Sequence, residues 1–176
     1  TINDATGNNN GQIDFGENIQ LSLTLENVGI AQANNVQVTL TTSDMYVTMV
    51  DSVEMYGNIS SNNTATVNNG FMFNVASNIP DEHPIAFTVT ATDGTDTWIT
   101  QFTATAYAPK LVMGSVFVSD PTGNNNNRLD PGETVDITIE ALNDGHCDAP
   151  NVIATLMSSN SFITINNATF NCNTIN

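Results

Sequence analysis

Fourteen residues near the start of the chain, Asp4-Ala5-Thr6-Gly7-Asn8-Asn9-Asn10-Gly11-Gln12-Ile13-Asp14-Phe15-Gly16-Glu17, return as Asp120-Pro121-Thr122-Gly123-Asn124-Asn125-Asn126-Asn127-Arg128-Leu129-Asp130-Pro131-Gly132-Glu133. The shared pattern is Asp-x-Thr-Gly-Asn-Asn-Asn, two variable residues, an apolar residue, then Asp-x-Gly-Glu. Adding 116 to a residue number aligns the two copies without a gap from Asp4 to about Met49. Ile19-Gln20-Leu21-Ser22-Leu23 falls on Val135-Asp136-Ile137-Thr138-Ile139, and Asn27-Val28-Gly29 on Asn143-Asp144-Gly145. Register kept over so long a stretch indicates tandem modules.

The residues after the loop name the kind of module. Ile19, Leu21, Leu23 and Leu25 alternate with Gln20, Ser22, Thr24 and Glu26, the two-residue period of a half-buried antiparallel strand. Val36, Val38 and Leu40 form the inner face of the next. Short strands are expected at 46–49 and 53–56, and longer ones at 64–67 and 71–75 around a bulge at Asn68-Asn69-Gly70. Prolines make 80–84 a loop, which leaves His83 solvated. Ile85, Phe87, Val89 and Ala91 alternate up to the hairpin signal Asp93-Gly94. The return strand, 97–107, points Phe102, Ala104 and Ala106 inward, with Trp98 packed at one end of the core. No stretch shows a helical period. The fold class is therefore all-β, with tandem immunoglobulin-like antiparallel β-sandwiches.

The module boundary falls at Ala108-Pro109-Lys110, giving a first module over 1–108 and the N-terminal part of a second over 109–176. The second reads as a first strand at 111–118, then strands at 134–142, 151–157 and 162–165. Nothing after Ile165 corresponds to the Phe71–Tyr107 region, so this module is incomplete. Its remaining strands are expected from a longer polypeptide, or from another chain by β-augmentation. Thr1-Ile2-Asn3 reads as the tail of a first strand.

Oxygen-bearing side chains at close, irregular spacing suit a hard cation such as Ca²⁺, which takes about six to eight oxygens. Each loop is a candidate calcium site, two sites in all. The candidate ligands are Asp4, Asn8, Asn10, Asp14 and Glu17 in the first loop. In the second they are Asp120, Asn124, Asn126, Asp130 and Glu133. Gln12 and Arg128 would contribute through the backbone carbonyl, because an arginine side chain cannot ligate a cation. Glu17 and Glu133 are the bidentate candidates, and the mixture of amides and carboxylates points to affinity of about 10⁻⁴–10⁻³ M.

Composition excludes several functions. Eighteen acidic residues face only Lys110 and Arg128, a formal charge of −16, which disfavours nucleic-acid binding. No apolar run approaches the roughly 18 residues of a membrane span. Gly145-His146-Cys147-Asp148 does not make a Cys–His nucleophile, since neighbours in extended backbone point to opposite faces. Cys147 and Cys172 leave a disulfide open. Trp98, Tyr46, Tyr56 and Tyr107 raise a sugar-stacking platform, although the tyrosines are scattered.

The motif Asp-x-x-Gly-Asn-x-Asn, then Ile-Asp-x-Gly-Glu, alternating leucines and Asn-x-Gly resembles the CARDB adhesion modules of secreted and cell-surface proteins of Bacteroidetes. These include non-catalytic regions of gingipain-type proteases exported by type IX secretion. The resemblance covers about half the chain. It implies a calcium-binding, non-enzymatic spacer or adhesion region, secreted or at the cell surface. Its partners would be other domains of a longer polypeptide, or a protein or glycan at the surface. The alternatives are an accessory region of an exported protease, or a carbohydrate-binding module.

Overall fold

The computed structural model describes residues 1–176 and is built from strands and turns without a helix. It divides into two compact units, Thr1–Ala108 and Pro109–Asn176.

The first unit is an immunoglobulin-like sandwich of nine strands, β1 (Ile2–Asn3), β2 (Ile13–Asp14), β3 (Asn18–Glu26), β4 (Ala33–Thr41), β5 (Val47–Asp51), β6 (Val53–Ile59), β7 (Thr64–Val75), β8 (His83–Thr92) and β9 (Thr97–Tyr107). One sheet has the order β1-β3-β7-β5 and the other β2-β9-β8-β4-β6. The alternating residues do what their period requires. Ile19 and Leu21 of β3, Val36, Val38 and Leu40 of β4, Phe71 and Phe73 of β7, and Ile85 and Phe87 of β8 close one core between the sheets. Phe87 lies against both Phe73 and Phe102.

Both lateral margins are bridged by chain that changes sheets. β1 runs antiparallel to β3, whereas β2 runs parallel to β9. At the other margin β5 pairs with β7 and β6 with β4. The bulge in β7 is present: the β3–β7 register shifts between Leu21 and Leu23, and the Asn69 N–H donates to Ser22 Oγ at 2.9 Å.

Three expectations need correction. Pro84 lies inside β8, opposite Thr105. The strand tolerates it because β4 covers β8 only from Thr88 onward, so the missing N–H has no ladder to serve. His83 is not solvated: its Nε2 is 2.7 Å from Asp44 Oδ2, and its ring meets Tyr46 edge-on. Burial pushes the Asp44 carboxyl up, but the His83 bond, the Tyr46 N–H and the His83 charge outweigh it and hold it below its usual value. Trp98 is not packed away, being 47% exposed.

The second unit holds β10 (Leu111–Ser119), β11 (Asp136–Asn143), β12 (Ala149–Thr155) and β13 (Thr169–Ile175). Residues 162–165 form no strand, the chain turning at 161–162, and β13 is a strand that the sequence pattern does not announce. β10 pairs with β11, and β12 with β13. The pairing repeats the first unit at the same offset. Ala149↔Ile175, Val152↔Asn173 and Thr155↔Thr169 correspond to Ala33↔Ile59, Val36↔Gly57 and Thr39↔Val53, with the first register shift in the same place. The Asn143 amide donates to the carbonyls of Cys147 and Ile175, as Asn27 does to those of Ala31 and Ile59.

What differs is cover. Leu21 is 6% exposed, and its counterpart Ile137 is 40% exposed. In the first unit β7, β8 and β9 close over these faces; the second unit has no strands in those places. Cys147 and Cys172 are half-buried thiols. No disulfide joins them.

Amide hydrogen exchange should read this difference directly. Protection at Ile19 and Leu21 should exceed that at Ile137 and Ile139 by at least about tenfold, since local opening costs little where few apolar contacts form. Equal protection would contradict the description of the second unit as an uncovered half-sandwich.

Candidate metal centre

The two loops share most of their hydrogen bonds, although the Asp14 N–H bond to Glu17 and the Gln12 N–H bond to Asn10 occur in the first alone. Each opens with a carboxylate sunk into the protein: Asp4 is 2% and Asp120 0% exposed. Asp4 Oδ2 accepts the N–H of Asn10 at 2.8 Å, and its Oδ1 accepts that of Gly11 at 3.2 Å. In the second loop Asp120 accepts the N–H groups of Asn126 at 3.1 Å and Asn127 at 2.8 Å. A buried carboxylate needs such charge-assisted donors. Asp4 and Asp120 thus act as clasps that draw each loop into a ring, with acceptor sites left beyond these N–H bonds.

The second carboxylate comes from the far end. Glu17 Oε1 accepts the Asn8 N–H at 3.0 Å, and Glu133 Oε1 the Asn124 N–H at 3.0 Å. Glycine makes room for this approach. A Cβ on Gly7 would stand 2.0 Å from Glu17 Oε1, and one on Gly123 would stand 2.5 Å from Glu133 Oε1. Between these lies the third carboxylate. Asp14 Oδ2 takes the side-chain amides of Asn8 and Asn10 at 2.6 and 2.8 Å. Asp130 Oδ2 takes those of Asn124 and Asn126 at 2.9 and 2.8 Å. Bonds from Asn124 and then Asn126 hold the Asp130 carboxyl below its usual value against a smaller opposing effect of desolvation.

The sharp turns fall on residues that accept left-handed backbone. Asn9 and Asn125 both have φ 60°, and Gly11 (79°) is replaced by Asn127 (60°), as expected for side chains that tolerate this region.

The Asn8, Asn10 and Asn124 oxygens, expected to face a metal, each accept a backbone N–H and keep a second lone pair. Asn8 Oδ1 accepts the Asn10 N–H and Asn10 Oδ1 that of Gln12, while Asn124 Oδ1 accepts that of Asn126. An amide carries an acceptor at one end and donors at the other, and here the donors face Asp14 and Asp130. No group of three or more His, Cys, Asp or Glu is arranged to hold an ion by itself. Binding therefore depends on amide and carbonyl oxygens as well. Two observations fit a hard cation nonetheless. Asp14 Oδ1 and Glu133 Oε2 are buried without a hydrogen-bond partner, and the donor set is oxygen throughout. The ion pairs Asp44–His83 and Lys110–Asp144 lie outside both loops.

The other candidates do not assemble. Tyr56 is buried with its hydroxyl on the Leu23 carbonyl, and Tyr46 packs on His83, so no aromatic platform forms with Trp98. His146 is exposed and Cys147 half-buried.

Two outcomes follow from the ring. Gly7→Ala must push Glu17 off the Asn8 N–H, and should destabilise the first unit by about 1–3 kcal/mol in chemical denaturation. An unchanged midpoint would refute the close approach. The lowered Asp130 pKa means its contribution is complete above the ordinary carboxylate value and lost as pH falls through the folded value. The Asn124 and Asn126 side-chain amide signals in NMR should therefore keep their positions through about pH 3.9 and move only below it. A midpoint at that ordinary value would contradict the bonding.

No protein-family model matches the chain, and no curated protein matches it. Among solved structures it is similar to the CsuC–CsuE chaperone–tip adhesion subunit pre-assembly complex from the archaic chaperone-usher Csu pili of Acinetobacter baumannii. The identity is 11%, over 80% of this chain and 76% of that one, with a TM-score of 0.30. A likeness this loose carries no functional argument.

Proposed function

We propose that this chain is a non-enzymatic, calcium-stabilised immunoglobulin-like repeat region of a secreted or cell-surface protein, acting as a spacer or adhesion module. The observation that carries the reading is the duplicated ring: the same bonds recur in both loops, and each loop leaves one buried carboxylate oxygen unpartnered. Asp4, Asp14 and Glu17, with Asn8, Asn10 and the Gln12 carbonyl, would hold the first ion. Asp120, Asp130 and Glu133, with Asn124, Asn126 and the Arg128 carbonyl, would hold the second. A divalent ion supplies charge compensation for carboxylates crowded into one small ring.

The role is mechanical. The first loop touches both sheets: Ile13 and Asp14 pair with Ala106 and Tyr107 of β9, while the Glu17 carbonyl accepts the Val75 N–H of β7. An ion in the ring would stiffen the point where the two sheets and the last strand meet. At about 10⁻⁴–10⁻³ M affinity such a site would be half filled or more at millimolar calcium and nearly empty at cytosolic levels, which suits bracing outside cells rather than signalling. The acidic surface keeps such a region soluble.

Calcium at millimolar concentration should raise the melting temperature, and chelator should reverse the gain by mass action. Glu17→Gln should remove the part due to the first unit. Identical melting curves with calcium and with chelator would defeat the proposal.

A further inference from the structure

Two places in the chain join asparagine to glycine, Asn10-Gly11 in the first loop and Asn69-Gly70 in the β7 bulge. In this dipeptide the main-chain nitrogen reaches the preceding side-chain amide most readily, because glycine puts no Cβ in the way. Exposure does not separate the two, since both asparagines are exposed. Their hydrogen bonds do.

At Asn10 each reacting group is held. The Gly11 N–H donates to Asp4 Oδ1 and Oδ2 at 3.2 and 3.3 Å. The Asn10 side chain donates through Nδ2 to Asp14 Oδ2 at 2.8 Å, and its Oδ1 accepts the Gln12 N–H at 2.8 Å. The bonds to Asp4 and Asp14 are charge-assisted and therefore the stronger kind. A carboxylate against the Gly11 N–H also opposes loss of its proton, because the nitrogen anion would form beside an existing negative charge. Turning the Asn10 amide onto Gly11 breaks both side-chain bonds.

At Asn69 this restraint is missing. The β3–β7 ladder pairs Leu21 with Phe71 and Leu23 with Val67, which leaves residues 68–70 out of register. Asn69 Oδ1 accepts the Ser22 hydroxyl at 3.3 Å, a neutral bond longer than the usual range. No carboxylate holds its Nδ2. The bulge itself imposes the pair. Asn69 sits at φ 52°, in the left-handed region that asparagine tolerates. A Cβ on Gly70 would stand 2.6 Å from Val67 Cγ1 and 2.8 Å from Glu54 Cγ, so packing admits glycine alone.

We propose that Asn69 is a modification site: in the folded chain it deamidates through Gly70, while the Asp4 clasp protects Asn10. The Gly70 nitrogen gives up its proton and bonds to Asn69 Cγ. The Cγ–Nδ2 bond breaks, and ammonia leaves with that proton. Water then opens the succinimide at either carbonyl, leaving an aspartyl or isoaspartyl residue at position 69. The step needs no oxidant, ion or second protein. Its product brings a negative charge near Glu54, which flanks Gly70, on a chain already at a formal −16. The isoaspartyl form also lengthens the β7 main chain by one atom at the bulge.

The test holds the full chain in mildly alkaline buffer made with heavy-oxygen water, both folded and in concentrated urea. Mass spectrometry follows the peptides that span each asparagine. In urea the two should convert at similar rates. In the folded chain Asn69 should convert at least about tenfold faster than Asn10, the factor that one charge-assisted bond is worth. Asn69→Gln should remove the folded-state product. Equal conversion at both sites in the folded chain, or faster conversion at Asn10, would overturn the proposal. So would an Asn69 that converts in urea but not in the folded protein. A tenfold difference already present in urea would trace the contrast to local sequence and overturn the role of the clasp.

Discussion

A carboxylate removed from water survives only among hydrogen-bond donors, and this constraint organises both units. Asp4 and Asp120 end the strands that enter their loops, and both are buried. The donors within reach are main-chain N–H groups six and seven residues ahead, so the chain must curl back on itself. That curl brings Asn8 and Asn10 to Asp14, and seats Glu17 over Gly7. It also delivers Ile13 to the core and Phe15 to the Tyr107 carbonyl. The loop is therefore a joint between two sheets, built around the buried carboxylates of Asp4 and Asp14.

The same geometry is what would suit a cation. Asp4 gives its carboxylate to backbone N–H groups, and Asp14 and Glu17 bring two more carboxylates to the ring. Asp14 faces the two asparagine amides, and Glu17 holds the Asn8 and Asp14 N–H groups. One oxygen in each loop is left over, on Asp14 in the first and Glu133 in the second. Such an oxygen costs free energy until something positive meets it. Charge compensation at that place would brace the end of the sandwich from which β9 leaves.

Much of this is legible in the sequence. The two-residue alternation marks β3, β4 and β8 because each buries one face, and the repeated loop is visible because its ring leaves few free positions. The alternation fails at β13. Val53, Met55 and Tyr56 of β6 become Thr169, Asn171 and Cys172, and pairing there is held by main-chain register and the Asn143 clamp instead. The sequence counts oxygens in the loop but does not say which N–H groups they accept, so the clasp from Asp4 to Asn10 and Gly11 is not legible in it. Trp98 reads as core because its parity is inward; its exposure depends on a neighbouring edge that lies far away along the chain.

The central claim is that both rings close on a hard cation, and crystallography at high resolution in millimolar calcium tests it most directly. The account predicts one ion per loop, about 2.3–2.6 Å from oxygens that include Asp14 and Glu17 in the first loop and Asp130 and Glu133 in the second. Loops that keep their N–H-to-carboxylate bonding around water alone, at saturating calcium, would contradict it.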